Sequence, residues 1–296
     1  METFSVKTIL QKNKSTDWFG SDYNMNLYRG CSHGCIYCDS RSDCYHVDDF
    51  ETIRAKENCL KILRDELQRK VRSGVIGTGA MSDPYNPFEE TEGLTRYSLE
   101  LIDAYEFGVS VLTKSALIKR DTDVYISISE HSPVLCQCTV TTADDALSRL
   151  IEPNVSVSSE RFEALAEMSD RGLFTGVVMT PVLPFIEDSE DNIMRILRMA
   201  KECGVRSVYA QFGLTMRAGQ REYFYRKLDE IFPEKKLSER YAKAYGDRYV
   251  CSSHYAKRLW NVYTEECKRL GLLYDMRDII SAYKLGYGDR QLSFFE

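Results

Sequence analysis

The sequence has no run of apolar residues that approaches the roughly 20 needed to cross a bilayer, and no apolar leader follows Met1. It also shows no internal repeat and no low-complexity tract. Positive charge is not in excess, because 39 Lys and Arg residues stand against 45 Asp and Glu residues and the net charge is −6. These absences argue against a membrane protein, a secreted protein and a nucleic-acid coat. They predict a soluble protein of the cytoplasm.

Cysteine, in contrast, is plentiful, with 10 among the 296 residues. In a small secreted domain this number would predict disulfides, but a long chain without a leader is expected to keep reduced thiols. Hydrophobic residues make up 43% of the chain, which is enough to bury a sizeable core. We therefore expect a folded protein with free cysteines.

Apolar runs alternate with amphipathic stretches from residue 23 to residue 211. Short buried strands are predicted at residues 23–28, 75–79, 109–113, 135–141, 174–180 and 205–211. Helices are predicted at residues 53–71, 94–105, 122–129, 161–171 and 188–203, where apolar residues recur at three- and four-residue spacings. Such alternation predicts a parallel sheet with helices outside it.

A complete eight-unit barrel needs about 250 residues of regular alternation, and here the alternation fades after residue 211. We therefore predict an α/β fold, with a partial (β/α)6 TIM-type barrel at residues 23–213. An N-terminal arm at residues 1–22 is expected to dock through Trp18 and Phe19. A charged, tyrosine-rich helical extension is expected at residues 214–296.

Three cysteines, Cys31, Cys35 and Cys38, are spaced three and then two residues apart on a glycine-punctuated stretch. Structural zinc is nearly always closed by four protein ligands, and an ordinary iron–sulfur cluster takes four thiolates. A trio therefore implies a metal that is left open to another ligand. One alternative stays open, because Cys44 lies six residues beyond Cys38 and would complete a closed zinc site.

The spacing Cys-x3-Cys-x2-Cys, with Tyr37 just before the third cysteine, resembles the signature of the radical S-adenosylmethionine (radical SAM) superfamily. This resemblance implies that Cys31, Cys35 and Cys38 hold three irons of a [4Fe-4S] cluster, and that SAM chelates the fourth. It also implies that Tyr37 packs near the adenine of SAM.

A second motif follows the second predicted barrel strand, where residues 82–87 read Ser-Asp-Pro-Tyr-Asn-Pro. It resembles the Ser/Thr-Asp-Pro-Tyr-Gln-Pro loop of the spore photoproduct lyase-like branch of the superfamily. The resemblance implies that the Ser82 hydroxyl and the Asp83 carboxylate accept hydrogen bonds from the SAM ammonium group.

Further positions match the same branch at the ends of the next strands. Lys114 is expected to meet the SAM carboxylate, and the hydroxyls of Thr139 and Thr141 are expected to meet the ribose. The remaining matches are Glu152-Pro153, Arg161-Phe162 and the stretch 181–184.

The function implied is that of a radical SAM enzyme, a lyase or an oxidoreductase. A one-electron donor such as flavodoxin or ferredoxin would reduce the cluster, and SAM would be cleaved to a 5′-deoxyadenosyl radical that takes hydrogen from a substrate. A nucleic acid or nucleotide is the first expectation for that substrate, in repair or modification of DNA. One alternative is a peptide or small metabolite. Another, of a different class, is a non-catalytic binding protein stabilised by zinc.

One departure from the family bears on the substrate. In spore photoproduct lyases a cysteine that returns hydrogen to the product stands just before the Ser-Asp pair, whereas this chain has Ala80 and Met81 there. Thymine-dimer reversal is therefore not assumed. Candidate replacement donors are Cys136, Cys138 and Cys251, although structural burial is the favoured explanation of these thiols.

The last residues resemble the Gln-Leu-Ser-Leu-Phe peptide by which bacterial DNA repair and replication proteins bind the sliding clamp. The matching positions are Gln291, Leu292, Ser293, Phe294 and Phe295. The motif predicts a sliding clamp as a partner, with a tail folded back on the barrel as the alternative.

Overall fold

A computed structural model describes residues 2–70 and 73–287, so that the clamp-like motif at 291–295 lies outside the described residues. The strands are β1 (Glu2–Phe4), β2 (Leu10–Lys12), β3 (Tyr23–Met25), β4 (Tyr28–Arg29), β5 (Arg54–Lys56), β6 (Val75–Thr78), β7 (Gly108–Thr113), β8 (Val134–Thr139), β9 (Thr175–Met179), β10 (Ser207–Ala210), β11 (Gly213–Thr215) and β12 (Val250–Ser252). The helices are α1 (Cys59–Gln68), α2 (Glu89–Glu92), α3 (Leu94–Ala104), α4 (Thr122–Ser129), α5 (Asp145–Ile151), α6 (Ser158–Asp170), α7 (Glu190–Glu202), α8 (Gln220–Ile231), α9 (Leu237–Tyr245), α10 (Ala256–Leu270) and α11 (Met276–Tyr283).

The central sheet has the strand order β10-β9-β8-β7-β6-β3-β2. Strands β3, β6, β7, β8, β9 and β10 are parallel neighbours in chain order, and β2 is antiparallel to β3 at one edge. The predicted α/β class with a parallel sheet is therefore confirmed. Two small sheets accompany it, with the orders β1-β5-β4 and β11-β12.

Side chains along the central strands alternate between two buried faces. On one face Cys136 and Cys138 of β8 join the core formed with helices α1, α3, α4, α6 and α7. On the other, inner face Leu135 of β8 and Val178 of β9 pack with Phe19 of the arm and with α11. Among the described residues, the inner face is thus covered by the N-terminal arm and α11 rather than by the crossover helices.

The predicted docking of the arm through its aromatic residues is confirmed. Phe19 is buried in the inner-face cluster, and the Tyr283 hydroxyl donates a 2.7 Å hydrogen bond to the Phe19 carbonyl. Trp18 lies edge-on to Tyr209, with 5.5 Å between the ring centroids. These contacts hold residues 18–20 between the sheet and α11.

Three sequence predictions about secondary structure were wrong. The predicted helix at 53–71 begins only at Cys59, because Asn58 has a left-handed φ of 55° and Arg54–Lys56 pair with β4 and β1 as a strand. The arm is not irregular, since it contains β1 and β2. The C-terminal extension is not wholly helical, because it also contains the β11-β12 pair. In each case short strands form through pairing partners that are distant in sequence.

None of the described helices is both long enough and apolar enough to span a membrane. The parallel arrangement places the carboxyl ends of β3, β6, β7 and β8 at one edge of the sheet. Loops that follow these strands therefore meet there, as they do in barrel enzymes.

Gly79 allows the loop after β6 to pass against β7. Its φ is +92°, and a Cβ built on it would lie 2.0 Å from the Leu112 carbonyl oxygen. An L-residue at this position would meet both the penalty of a left-handed backbone and a collision with another strand.

We expect Gly79→Ala to destabilise the fold strongly and Gly172→Ala to serve as the matched control. Gly172 has a similar φ of +86°, but nothing lies within 4 Å of its added Cβ. The left-handed backbone should cost each variant about 1–2 kcal/mol, and the Leu112 collision should add to that cost only at Gly79. Urea unfolding measures both variants. Equal losses of unfolding free energy would contradict the close approach of the two strands.

Candidate functional site

A cavity of about 120 Å³ lies at the carboxyl ends of β6, β7 and β8, and we call it the cysteine cavity. It is lined by Cys31, His33, Cys35, Tyr37, Cys38, Ser40, Gly79, Ala80, Met81, Ser82, Asp83, Leu112, Thr113, Lys114 and Thr139. All three cysteines of the trio line it. So do five of the six residues predicted to bind SAM, which are Tyr37, Ser82, Asp83, Lys114 and Thr139. The fold thus collects residues from four separate segments around one space.

The trio lies on the cysteine loop, residues 30–38, which enters and turns at glycines. Gly30 has a φ of +82° and its added Cβ would lie 2.4 Å from the Thr52 carbonyl oxygen, so the loop packs closely on the segment before β5. The Cys31 amide donates to the Phe50 carbonyl at 2.8 Å, and the Ile36 amide donates to the Ile151 carbonyl at 3.0 Å. These bonds fix both ends of the loop before any cofactor is bound.

The cysteine thiols are free and at least partly shielded from solvent. Burial, with the nearby Asp83 carboxylate as the next cause, raises the pKa of Cys31 to about 11. Burial likewise raises the pKa of Cys35, while Lys114 opposes this shift. Metal binding at these sulfurs must therefore displace protons, which makes affinity for the metal depend on pH.

The donor side chains of the cysteine cavity bear on which metal group it could hold. Within residues 2–70 and 73–287, no group of three or more His, Cys, Asp or Glu side chains is arranged to hold a metal ion. Thiolates that each bind a different iron need not converge on one point, so this finding is compatible with a [4Fe-4S] cluster. Cys44, which the zinc alternative requires, is exposed and accepts a 3.4 Å hydrogen bond from Arg217 Nη1. It is not part of the lining of the cysteine cavity.

Asp83 joins the loops after β6 and β7. Its carboxylate accepts hydrogen bonds from the Thr113 hydroxyl at 2.6 Å, from the Lys114 amide at 2.9 Å and from the Tyr85 amide at 2.9 Å. His33 Nδ1 lies 3.5 Å from Asp83 Oδ2. Burial lowers the pKa of His33, so its imidazole is neutral near pH 7.

Ser82 is oriented by a single backbone contact. Its hydroxyl donates to the Tyr28 carbonyl at 3.0 Å, which leaves the oxygen lone pairs as acceptors. A carboxylate has about four acceptor positions, and three described donors occupy positions on Asp83. Ser82 and Asp83 therefore still offer acceptors to a cationic group in the cavity.

A buried ion pair lies behind the cysteine loop. Arg161 Nη2 is 2.6 Å from Glu152 Oε2, and the side chains are 0% and 2% exposed. The Tyr37 hydroxyl donates to the same carboxylate, and Arg161 Nη1 donates to the Thr139 carbonyl at 2.8 Å. The pair thus connects the cysteine loop to the end of β8.

Lys114 is partly buried beside these charges, and its Nζ lies 5.8 Å from the Tyr37 ring centroid. Burial alone would lower the pKa of Lys114, but Cys35, Glu152 and Asp83 together raise it above its usual value. Burial would raise the pKa of Glu152, but Arg161 and Lys114 hold it below its usual range. Lys114 is therefore a charged ammonium group at neutral pH.

Four of the predicted site residues are not brought to the cavity. The Thr141 hydroxyl donates to Glu187 at 2.6 Å and is 1% exposed. Cys136 and Cys138 face the helices, and Cys251 packs with the core of the C-terminal extension. All three thiols are fully buried. Their role as hydrogen donors stays a prediction.

Sequence reasoning gave no SAM- or cluster-binding role to His33 and Thr113, which line the cysteine cavity. The sequence signal for His33 is its position between the first two cysteines. The signal for Thr113, whose hydroxyl donates to Asp83, is its position at a strand end next to Lys114. Glu187 lies outside the wall of the cavity, and only the fold places its buried side chain beside Thr141.

Comparisons with known proteins agree with this arrangement. A family model described as the Radical SAM superfamily matches residues 25–200. An uncharacterized protein of Mycobacterium tuberculosis, Rv2578c, is 30% identical over 230 residues, which cover 75% of this chain and 67% of that protein. An uncharacterized protein of Methanocaldococcus jannaschii, MJ0683, is 31% identical over 174 residues, which cover 58% of this chain and 64% of that protein.

Solved structures show similar folds at low sequence identity. Spore photoproduct lyase complexed with dinucleoside spore photoproduct superposes with a TM-score of 0.65 and 15% identity, over 90% of this chain and 78% of that chain. The radical S-adenosylmethionine methyltransferase TsrM from Kitasatospora setae, with tryptophan and a SAM analog bound, gives a TM-score of 0.55 and 10% identity. That match covers 89% of this chain and 58% of that chain.

Glu187 makes the stability of the fold depend on pH. Burial raises the pKa of Glu187 to about 8, although Thr141 and the Leu183 amide donate hydrogen bonds to it. Between the usual glutamate pKa of about 4.3 and this raised value, the folded state holds a proton that the unfolded chain releases. Stability should therefore fall as pH rises, by at most about 1.4 kcal/mol per pH unit.

We expect Glu187→Gln to remove this dependence. Urea unfolding from pH 5.5 to pH 8 should show the variant gaining stability relative to the wild type as pH increases. Other titrating groups are shared, so the difference between the two proteins isolates Glu187. A difference that stays constant across this range would show that Glu187 is ionised in the folded state.

Proposed function

Because this chain belongs to the radical SAM superfamily and is an enzyme that uses a [4Fe-4S] cluster and SAM, we propose that Cys31, Cys35 and Cys38 hold the cluster in the cysteine cavity. This proposal is supported by one observation. The three cysteines line the cysteine cavity together with Tyr37, Ser82, Asp83, Lys114 and Thr139. When bound, the cluster and SAM would supply the reductive radical chemistry by which hydrogen is taken from a substrate.

The side chains of this chain bind and orient SAM through opposite charges. Ser82 and Asp83 accept hydrogen bonds from the ammonium group, and Lys114 binds the carboxylate as a point charge. Tyr37 and Thr139 line another part of the wall, where they would contact the nucleoside part of SAM. The Glu152–Arg161 pair positions Tyr37 and the end of β8 without entering the cavity.

The finer description of the fold is part of the proposal. Six parallel strands in chain order support a partial (β/α)6 barrel over residues 23–213, preceded by an arm at 1–22 and followed by an extension from residue 214. Residues 82–87 begin in the wall of the cysteine cavity, where a cofactor-binding loop of the spore photoproduct lyase-like branch is expected.

We assign a nucleic acid or nucleotide as the substrate class, in repair or modification of DNA. The similarity of residues 82–87 to the spore photoproduct lyase-like branch supports this assignment. The fold similarity to a lyase complexed with dinucleoside spore photoproduct is compatible with it. Ala80 and Met81 line the cavity where spore photoproduct lyase itself has its hydrogen-donating cysteine, so the reaction is proposed to differ from thymine-dimer reversal. A one-electron donor of the flavodoxin or ferredoxin type completes the system.

Replacing single cysteines tests which thiols hold the cluster. We expect Cys31→Ala, Cys35→Ala and Cys38→Ala each to lose the broad visible absorption of a [4Fe-4S] cluster after anaerobic reconstitution, because an iron loses its ligand. Release of 5′-deoxyadenosine under strong reductant should fall to background. Chromatography of the product and iron analysis provide the measurements.

The matched control for this series is Cys44→Ala. Cys44 is outside the cysteine cavity, so the variant should keep the cluster and release 5′-deoxyadenosine. Colourless protein that retains zinc and loses it in Cys44→Ala would instead establish the closed zinc site.

Replacing Lys114 tests how the SAM carboxylate is bound. We expect Lys114→Met to weaken SAM binding by about 10-fold to 100-fold, because a hydrogen bond to a charged group is lost. The control Lys119→Met removes a lysine that is 47% exposed and pairs with Glu167 at 3.4 Å. Equilibrium dialysis with cluster-loaded protein measures SAM affinity, and cluster absorption should be unchanged in both variants. Equal affinities for the two variants would exclude Lys114 as a SAM ligand.

A further inference from the structure

A second cavity, of about 280 Å³, lies on the inner face of the central sheet, and we call it the inner cavity. Asn24, Gly77, Ser110 and Gln137 line it from strands β3, β6, β7 and β8. Gly79, Ala80 and Leu112 belong to the walls of both this space and the cysteine cavity. A molecule in the inner cavity would therefore lie directly beside the cofactors.

Gln137 is an unusual residue within this wall. Its side chain is 1% exposed, yet neither its amide nitrogen nor its amide oxygen has a hydrogen-bond partner among the described residues. Buried polar groups in native proteins nearly always have a partner, so an exception needs a specific reason. Because the Gln137 amide lines a cavity, a bound ligand would explain why it lacks a hydrogen-bond partner within the protein.

Gly176, the register partner of Gln137 on β9, lets the Gln137 side chain pack closely across the strand towards β10. A Cβ at Gly176 would lie 3.3 Å from the Gln137 amide nitrogen and 2.7 Å from Ser207 Oγ. The Ser207 hydroxyl also lacks a described partner. Even in this close packing, the Gln137 amide has no hydrogen bond to the neighbouring strands.

The N-terminal arm supplies the opposite wall of the inner cavity. Trp18 lines it while 50% exposed, and Lys14 is the one ionisable residue in the described lining. An indole offers a flat surface for a planar ring, and a lysine offers a charge for a phosphate. A glutamine amide matches a ring edge that carries one hydrogen-bond donor and one acceptor.

We infer that the inner cavity is the substrate pocket and that Gln137 determines specificity by pairing with the edge of a nucleobase. The base would face Trp18, with its phosphate near Lys14. This inference rests on the proposed function, because it deepens the assignment of a nucleotide substrate. A peptide substrate would match the amide of Gln137 but would leave the indole and the cation of the arm without a role.

Nucleotide binding provides the test. Isothermal titration of cluster-loaded, SAM-bound protein with each of the four deoxynucleoside 5′-monophosphates should show binding to one base that exceeds the others. In Gln137→Leu that affinity should fall at least 10-fold, and the preference among bases should disappear. Gln211→Leu, which changes an exposed glutamine, is the matched control and should bind as the wild type does.

Thermal unfolding separates this role from a structural one. Because the Gln137 amide has no described partner, Gln137→Leu should unfold at the same temperature as the wild type or higher. Gln137→Glu provides a second variant, which keeps the acceptor and should move the preference towards a base that presents donors. A lowered unfolding temperature in Gln137→Leu together with unchanged base preference in Gln137→Glu would mean that Gln137 is structural.

Other outcomes overturn the inference in distinct ways. Equal binding by Gln137→Leu and the wild type would remove Gln137 from recognition. Absence of nucleotide binding by the wild type, or binding of amide-capped dipeptides in its place, would refute the nucleobase assignment. Both outcomes leave the proposed function standing as long as the wild-type protein binds and cleaves SAM. Failure of SAM cleavage with nucleotide binding intact would refute the proposed function alone.

Discussion

The ion pair between Glu152 and Arg161 is the interaction on which the site depends. Both side chains are removed from water, so each charge is tolerated only because the other lies 2.6 Å away. Loss of one partner from such a buried pair typically costs about 3–5 kcal/mol. Through hydrogen bonds to Tyr37 and to the Thr139 carbonyl, the pair attaches the cysteine loop to the end of β8. Together with the backbone hydrogen bonds of Cys31 and Ile36, this attachment positions the three thiols relative to the sheet.

Charge also explains why the cysteine cavity suits a zwitterionic ligand. Lys114 stays protonated because Cys35, Glu152 and Asp83 outweigh the effect of its burial. Asp83 is held by three donors, from the loop after β6 and from the end of β7 and the residue that follows it, so its remaining acceptor position has a defined direction. In the proposed site, this cation and this anion would complement the carboxylate and the ammonium group of SAM.

The two cavities have different chemical characters that match different tasks. The cysteine cavity contains thiols and charged side chains, whereas the wall that the sheet gives to the inner cavity is neutral and rich in small polar residues. The N-terminal arm and α11, rather than the crossover helices, close the inner face. Phe19 and α11 pack there on Leu135 and Val178. The arm therefore serves both the stability of the sheet and the shape of the space beside it.

Local sequence patterns were sufficient for the order of the six parallel strands and for the limits of α4. Eight residues of the cysteine cavity were instead expected from the resemblance of their motifs to the radical SAM superfamily and its spore photoproduct lyase-like branch. Strand alternation and spaced motifs are properties of neighbouring residues, and parallel strands bring their carboxyl ends to one edge.

Strands β1, β2 and β5 could not be predicted in this way, since three-residue strands exist only through partners that are distant in sequence. Thr141 lies outside the wall of the cysteine cavity, because β8 ends at Thr139 and the Thr141 hydroxyl donates to Glu187. Its contact with the ribose stays a prediction. Tertiary structure alone decided the burial of Glu187, the pairing of Tyr37 with Glu152 and the unpartnered amide of Gln137. Burial and hydrogen-bond satisfaction depend on which distant segments come together, and no local pattern encodes that.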